Sequence, residues 1–332
     1  MVNPTTDNLN IQSTVRLPPP AELREAFPLT TRAADVTVTA RAGVENILLR
    51  RDNQRMVLLA GPCSIHDREG ALEYARRLKA LADEVSDRLL VIMRVYFEKP
   101  RTKLGWKGLI YDPALDDSGD IEAGLRLARS ILRDIVDLGM PTATELLEPV
   151  IPQYITDLVA WAAIGARTTE SQTHRQMASG LSMPIGFKNA TDGGIQTAVE
   201  AIHTARNPHT FIGIDGNGQV GLFRTRGNAF GHLVLRGGTR GPNFESEHIA
   251  FAEELMRKND LIPNILVDCS HANSAKKPER QHAVARDVLD QRDNGTTSLV
   301  GLMVESNLLP GAQALRTDHP GELESGRSIT DP

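Results

Sequence analysis

Cysteine is scarce in this chain, with only Cys63 and Cys269 among 332 residues. A disulfide framework is therefore excluded as the organising principle, and a reducing, cytoplasmic setting is expected. Long apolar runs are missing too, so no segment is expected to cross a bilayer. The polar N-terminus, with Pro18-Pro19-Pro20, lacks the apolar stretch of a secretory signal. Positive charge is not in excess: the net charge is −5, which argues against a general nucleic-acid binder. What is present is ordinary for a soluble globular protein, with 40% hydrophobic and 24% charged residues. The length suffices for one large domain or two.

From residue 56 onward the hydrophobic pattern alternates between short apolar runs and helix-like segments. Strands are predicted over 56–60, 89–93, 141–144, 161–164, 184–187, 232–235, 265–267 and 299–304. Helices are predicted over 68–85, 121–138, 196–205, 245–259 and 279–292, where apolar residues recur at helical spacing. Two further strands, 211–215 and 220–225, flank Gly216-Asn217-Gly218 and read as a hairpin outside the alternation. Residues 1–40 read as an N-terminal arm with little core of its own, followed by a short amphipathic helix over 42–51. Eight strands alternating with helices over about 250 residues predict an α/β fold, a (β/α)8 barrel occupying 41–332 with a hairpin insertion near 210–226. A doubly wound open sheet is the runner-up, but no GxGxxG follows the first strand.

The stretch 94–108 is dense in cations: Arg94, Lys99, Arg101, Lys103 and Lys107, with Pro100, Gly105 and Gly108 as loop formers. It is either a solvated basic loop or a site for a small anionic substrate. Barrel enzymes build their sites at the C-terminal strand ends. Those positions carry Cys63, Arg94, Glu145, Arg167, Lys188, Arg236, His271 and Glu305. Each alone reads as a loop residue or a buried partner; eight together favour a site. Cys63, His271 and Glu305, with Asp331 as a fourth, form a ligand set suited to Zn, Fe, Co or Mn. Arg94, Lys99, Arg101, Arg167, Lys188 and Arg236 suit phosphate groups of about −1.5 to −2 charge each, and a carboxylate. The residues thus point to a metal-dependent barrel enzyme for phosphorylated substrates.

Several long stretches resemble one family: AGPCSIHD (60–67), RVYFEKPRTKLGWKGLIYDP (94–113), GARTTESQTHRQMASGLSMPIGFKNATDG (165–193), GNAFGHLVLRGG (227–238), VDCSHANSAKKPERQ (267–281), GLMVES (301–306) and SITD (328–331). In order along the chain, they resemble the class I, microbial, feedback-regulated 3-deoxy-D-arabino-heptulosonate-7-phosphate (DAHP) synthases. The resemblance implies condensation of phosphoenolpyruvate with erythrose 4-phosphate, releasing phosphate, the committed step toward aromatic amino acids. It implies one divalent metal held by Cys63, His271, Glu305 and Asp331. It places phosphoenolpyruvate on Arg94, Lys99, Arg167, Lys188 and Arg236, with Glu145 in the same polar shell. Pro100, Arg101 and Thr102, with Asp331 near them, would face erythrose 4-phosphate. Lys99 would donate a proton to the new alkoxide, beside Cys63 and His271 at the metal. Octulosonate-8-phosphate synthases carry Lys-Ala-Asn-Arg where this chain has Lys99-Pro100-Arg101-Thr102, which favours the four-carbon aldose.

The same resemblance implies an aromatic amino acid effector near Gln153, Ser182, Phe211 and Gly213. Gly213 favours tyrosine, because a missing side chain leaves room for the phenol oxygen. A homodimer or homotetramer is implied, without nucleic-acid or membrane partners. Family members continue with a final helix after the residue matching Asp331, and this helix is missing here. Bare apolar surface around 299–303 and a poorly anchored Asp331 are therefore expected. A non-catalytic paralogue that binds aromatic amino acids or docks on another pathway enzyme is the competing reading; it would have no need of the metal and phosphate residues.

Overall fold

The computed structural model describes residues 6–315 and 323–332. Ten strands run in the order β1 (Met56–Gly61), β2 (Leu89–Arg94), β3 (Thr142–Glu145), β4 (Trp161–Ile164), β5 (Ile185–Lys188), β6 (Thr210–Ile214), β7 (Val220–Arg224), β8 (Gly231–Leu235), β9 (Ile265–Asp268) and β10 (Leu299–Glu305). The helices are α1 (Pro20–Ala26), α2 (Thr31–Leu48), α3 (Arg68–Glu84), α4 (Ile121–Asp137), α5 (Pro152–Ile155), α6 (Gln172–Gly180), α7 (Gln196–Ala205), α8 (Ser246–Lys258) and α9 (Gln281–Asp293). All strands except β6 and β7 pair in parallel and close in the order β1-β10-β9-β8-β5-β4-β3-β2. This is the predicted (β/α)8 barrel. Strands β6 and β7 form the separate antiparallel hairpin.

The barrel strands are buried on both faces, which is why they read as continuous apolar runs and not as alternations. Their inward residues form a compact interior of Leu59, Ile92, Ala143, Trp161, Val234, Leu266 and Met303. Trp161 is fully buried and packs beside Gly186, where a Cβ would lie 2.3 Å from the indole. The indole Nε1 donates to His232 Nε2 at 3.0 Å, while His232 Nδ1 faces the Phe230 carbonyl at 3.1 Å. Both ring nitrogens are thus satisfied by the neutral tautomer. Burial pushes the His232 imidazole down to about 4.

Two expectations about the chain ends are corrected. The boundary expected at residue 40 falls inside α2, and the helix expected over 42–51 is the second half of that helix. Thr30 caps it by accepting from the Ala33 amide at 3.0 Å. Val44, Ile47 and Leu48 join the barrel's interior cluster, and Leu23 and Ala33 are fully buried, so residues 20–48 do contribute core. Arg129 fastens this layer, donating to the Phe27 and Tyr154 carbonyls and pairing with both oxygens of Asp157. Nor is β10 bare: Leu299 and Met303 are fully buried and Leu302 is 4% exposed. No helix follows β10 among the described residues, but Leu308, Leu323 and Ile329 pack against the core.

His232 generates a pH prediction. Its folded pKa lies below the unfolded value, so the unfolded chain binds the extra proton between about pH 6.5 and 4. Its stabilising effect is present above about pH 6.5 and is lost as pH falls, by about 3 kcal/mol once below both values. In denaturant titrations His232→Gln should show a flatter dependence over this window; equal slopes for the two proteins would refute the assignment.

Candidate active site

At the C-terminal end of the barrel the strand alternation turns polar side chains inward. Arg94, Glu145, Lys188, Asp268 and Glu305 form a buried layer above the apolar interior. Gly61 pairs with Glu305, and a Cβ there would lie 2.7 Å from the Arg94 carbonyl, so the absence of a side chain admits Arg94. Arg94 Nη2 donates to Glu305 Oε1 at 2.7 Å, and its guanidinium sits 4.2 Å from the centroid of the buried Tyr96 ring. Arg94 Nη1 is buried without a partner among the described residues. Lys188 Nζ lies 3.5 Å from Glu145 Oε2 and 3.6 Å from Asp268 Oδ2. Burial alone would raise the Glu145 carboxyl, but Lys188, Lys99, His271 and Arg94 hold it below the usual range. Asp268 lies further below: His271, Lys188 and Arg94 outweigh its desolvation.

The predicted metal ligands converge. Cys63, Glu305 and Asp331 offer ligand atoms that all lie within 4.8 Å of one another. His271 adjoins them, with Nε2 3.8 Å from Glu305 Oε1 and Nδ1 2.9 Å from Asp268 Oδ2. Nδ1 also faces Ser270 Oγ at 2.9 Å, and these two neighbours leave Nε2 toward the other donors, an arrangement that suits a metal-binding imidazole. His271 stands at φ +52°, a strained position for a side-chain-bearing residue. Asp331 is better seated than expected: Lys276 Nζ is 3.3 Å away, and Ser328 Oγ donates to the Asp331 carbonyl at 2.7 Å. Thiolate, imidazole and two carboxylates fit a divalent transition metal.

Cations surround this cluster. Lys99 Nζ donates to the Cys63 carbonyl at 3.0 Å and lies 3.1 Å from Cys63 Sγ. Burial would lower its pKa, but the negative charge at Cys63, Glu305 and Glu145 raises it, so the ammonium keeps its proton. Lys99, Pro100, Arg101, Arg167, Lys188 and Arg236 line one cavity of about 150 Å³ with Cys63, Glu145, His271 and Asp331. Arg101 is exposed at its rim, and Thr102, exposed beside it and outside the lining, accepts from Arg167 Nε at 3.2 Å. The loop is braced by Arg101 Nε donating to the Trp106 carbonyl at 2.8 Å and Trp106 Nε1 to that of Asp112 at 3.0 Å. Lys103 and Lys107 are exposed and do not line the cavity. Sequence reasoning missed Asp268, Tyr96 and Lys276 as members of the site. The signal for Asp268 was its place at a strand end, three residues before His271.

A second cavity, of about 480 Å³, lies between the hairpin and the barrel. Gln153, Ser182, Phe211 and Gly213 all line it, together with Phe223, which the sequence did not single out. Phe211 and Phe223 stack with centroids 5.7 Å apart, and a Cβ on Gly213 would lie 3.1 Å from Phe223.

A buried charge layer under a cationic barrel mouth defines an enzyme for anionic substrates. The chain's relatives make this particular. Residues 36–332 match the DAHP synthetase I family, and the chain belongs to it. The Tyr-sensitive phospho-2-dehydro-3-deoxyheptonate aldolase of Escherichia coli is 52% identical, with 98% of this chain and 90% of that protein covered. The Phe-sensitive enzyme of that species is 48% identical over 99% of this chain and 93% of its own length. A phospho-2-dehydro-3-deoxyheptonate aldolase structure from Francisella tularensis superposes with a TM-score of 0.94 at 44% identity, covering 97% of this chain and 93% of that one.

Asp268 is the residue whose role the geometry alone supplies. Asp268→Asn removes the charge behind His271 Nδ1 and should weaken Mn(II) binding by about 10–100-fold. Equilibrium dialysis measures this; wild-type affinity would remove Asp268 from the role.

Proposed function

We propose that this chain condenses phosphoenolpyruvate with D-erythrose 4-phosphate and water, yielding DAHP and phosphate, the first step of the shikimate pathway. The observation that carries the reading is the single cavity where Lys99, Arg101, Arg167, Lys188 and Arg236 meet Cys63, His271 and Asp331. The family membership supports it. A binding-only paralogue would need none of these groups.

In this reading Arg167, Lys188 and Arg236 hold the phosphate and carboxylate of phosphoenolpyruvate, with Arg94 beneath offering its unpartnered Nη1. Glu145 stays ionised and keeps Lys188 oriented. Pro100, Arg101 and Thr102 select the aldose phosphate from the rim. A divalent metal bound by Cys63, His271, Glu305 and Asp331 would supply Lewis-acid polarisation of the aldehyde. Carbon 3 of phosphoenolpyruvate attacks the aldehyde carbon, water adds at carbon 2, and the carbon 2–oxygen bond to phosphate breaks. Lys99 Nζ delivers a proton to the new alkoxide, and the proton released by the adding water balances it.

Phosphate release should require erythrose 4-phosphate, not arabinose 5-phosphate, and should cease after exhaustive chelation. Lys99→Met should lose at least about a hundredfold in kcat while its metal content, measured by mass spectrometry, stays at the wild-type level. Turnover that survives chelation would refute the metal assignment, and a near-normal Lys99→Met enzyme would refute the proton donor.

For the effector we propose tyrosine in the hairpin cavity, whose volume falls within the roughly 300–1,000 Å³ of ligand pockets. Gly213, and the higher identity to the Tyr-sensitive than to the Phe-sensitive relative, support the choice. For assembly we propose a homodimer or homotetramer, supported by apolar side chains on the arm and hairpin: Leu9, Val15, Ile212 and Val220 are each at least 71% exposed. The buried free thiols of Cys63 and Cys269 suit the cytoplasm. No helix among the described residues is long and apolar enough to cross a membrane. Tyrosine should inhibit more strongly than phenylalanine, and Gly213→Ser should weaken tyrosine inhibition by crowding Phe223. Stronger inhibition of the wild type by phenylalanine would reverse the choice.

A further inference from the structure

Cys63, His271 and Glu305 stand at or just past the ends of β1, β9 and β10, where the strand pleat fixes them. Asp331 has no such support. It is carried by segment 323–332, in which no helix or strand forms, yet its carboxylate lies within 4.8 Å of the Cys63 and Glu305 ligand atoms. Ordering an irregular segment costs backbone entropy at every residue, so specific contacts must offset that loss. Such contacts grip the segment at both ends.

At its root the partner is Gln313, in the loop that follows β10. Its Nε2 donates to the carbonyls of Glu324 at 2.8 Å and Arg327 at 3.0 Å, and its Oε1 accepts the Glu324 amide at 2.9 Å. The Gln313 amide adds a bond to the Ser328 carbonyl at 2.8 Å. Gly326, at φ +78°, brings the two backbones together: a Cβ there would lie 2.8 Å from Leu308 Cβ. On the barrel side, Ser325 Oγ donates to Asp67, the residue that caps α3. At the tip, the buried Ser64 Oγ meets Thr330 Oγ1 at 2.8 Å. Ser64 follows Cys63 and Thr330 precedes Asp331, so this one hydroxyl pair ties together the backbones of two facing ligands. Ser328 Oγ closes the turn, accepting the Thr330 amide at 3.1 Å and donating to the Asp331 carbonyl at 2.7 Å. Neither Ser64 nor Gln313 lines the substrate cavity.

We propose that Ser64 and Gln313 are positioning residues for the metal, Gln313 setting the root of segment 323–332 and Ser64 its tip, so that Asp331 is presented to Cys63 and Glu305. Their effect on the metal passes through Asp331 alone. The inference rests on the metal reading given above and adds to it two residues outside the ligand set.

Equilibrium dialysis of the full chain against Mn(II) tests this without recourse to activity. Ser64→Ala should weaken Mn(II) binding about fivefold, the loss of one hydrogen bond, and Gln313→Ala by at least as much. Thr330→Val should match Ser64→Ala, whereas Thr330→Ser keeps the hydroxyl and should stay within about twofold of the wild type. In an Asp331→Ala background the three ligands at the strand ends remain. There, Ser64→Ala and Gln313→Ala should each change the affinity by less than about twofold. Wild-type affinity in either single variant would overturn the proposal. So would an equal loss with Asp331 absent, which is what a merely structural role produces. If Gln313→Ala does not fold, Ser64→Ala and Thr330→Val, which each delete one hydroxyl, decide the matter in the two backgrounds. A wild-type chain that fails to bind Mn(II) would refute the metal reading, and the proposal with it; a wild type that binds while the variants bind equally well refutes the proposal alone.

Discussion

The ion pair between Arg94 and Glu305 is the constraint around which the site is built. Both groups are buried at the barrel's upper end, 2.7 Å apart, and neither could be left there alone. Removing one partner of such a pair costs about 3–5 kcal/mol, because the remaining charge stays desolvated. The layer around it follows the same logic: Lys188 stands between Glu145 and Asp268, and Asp268 stands between Lys188 and His271. Charges of alternating sign let a closed barrel carry so many ionised groups inward. The site also retains unmet capacity, at Arg94 Nη1 and the Tyr96 hydroxyl. A substrate anion gains most from donors that the protein has already desolvated and does not itself satisfy.

Much of this was legible in the sequence. Strands of a parallel barrel are buried on both faces, so 89–93 and 299–304 announced themselves as apolar runs, and the hairpin was marked by Gly216-Asn217-Gly218. The cationic strand ends were legible because several charges recur where a barrel places its site. Helix α2 was half missed: its first turns are rich in Thr and Ala, and only its later turns carry Val44, Ile47 and Leu48. Asp268 falls one residue past the predicted strand 265–267, and its value depends on His271 folding back at positive φ.

The loop at 94–108 shows how composition and position separate. Of its five cations, Arg94 lies below the site and Lys99 reaches Cys63. Arg101 stands at the rim, whereas Lys103 and Lys107 face solvent. Charge density alone would have ranked them equally. Their roles follow from strand pleat near the barrel and from loop closure further out.

The two tryptophans of the chain divide the molecule in a way that light can follow. Trp161 is sealed inside the barrel against His232, far from solvent. Trp106 sits in the loop that follows β2, its carbonyl holding Arg101. Intrinsic fluorescence therefore carries two separable signals, one from the integrity of the barrel and one from the posture of the loop. Each can be isolated by replacing the other indole with phenylalanine.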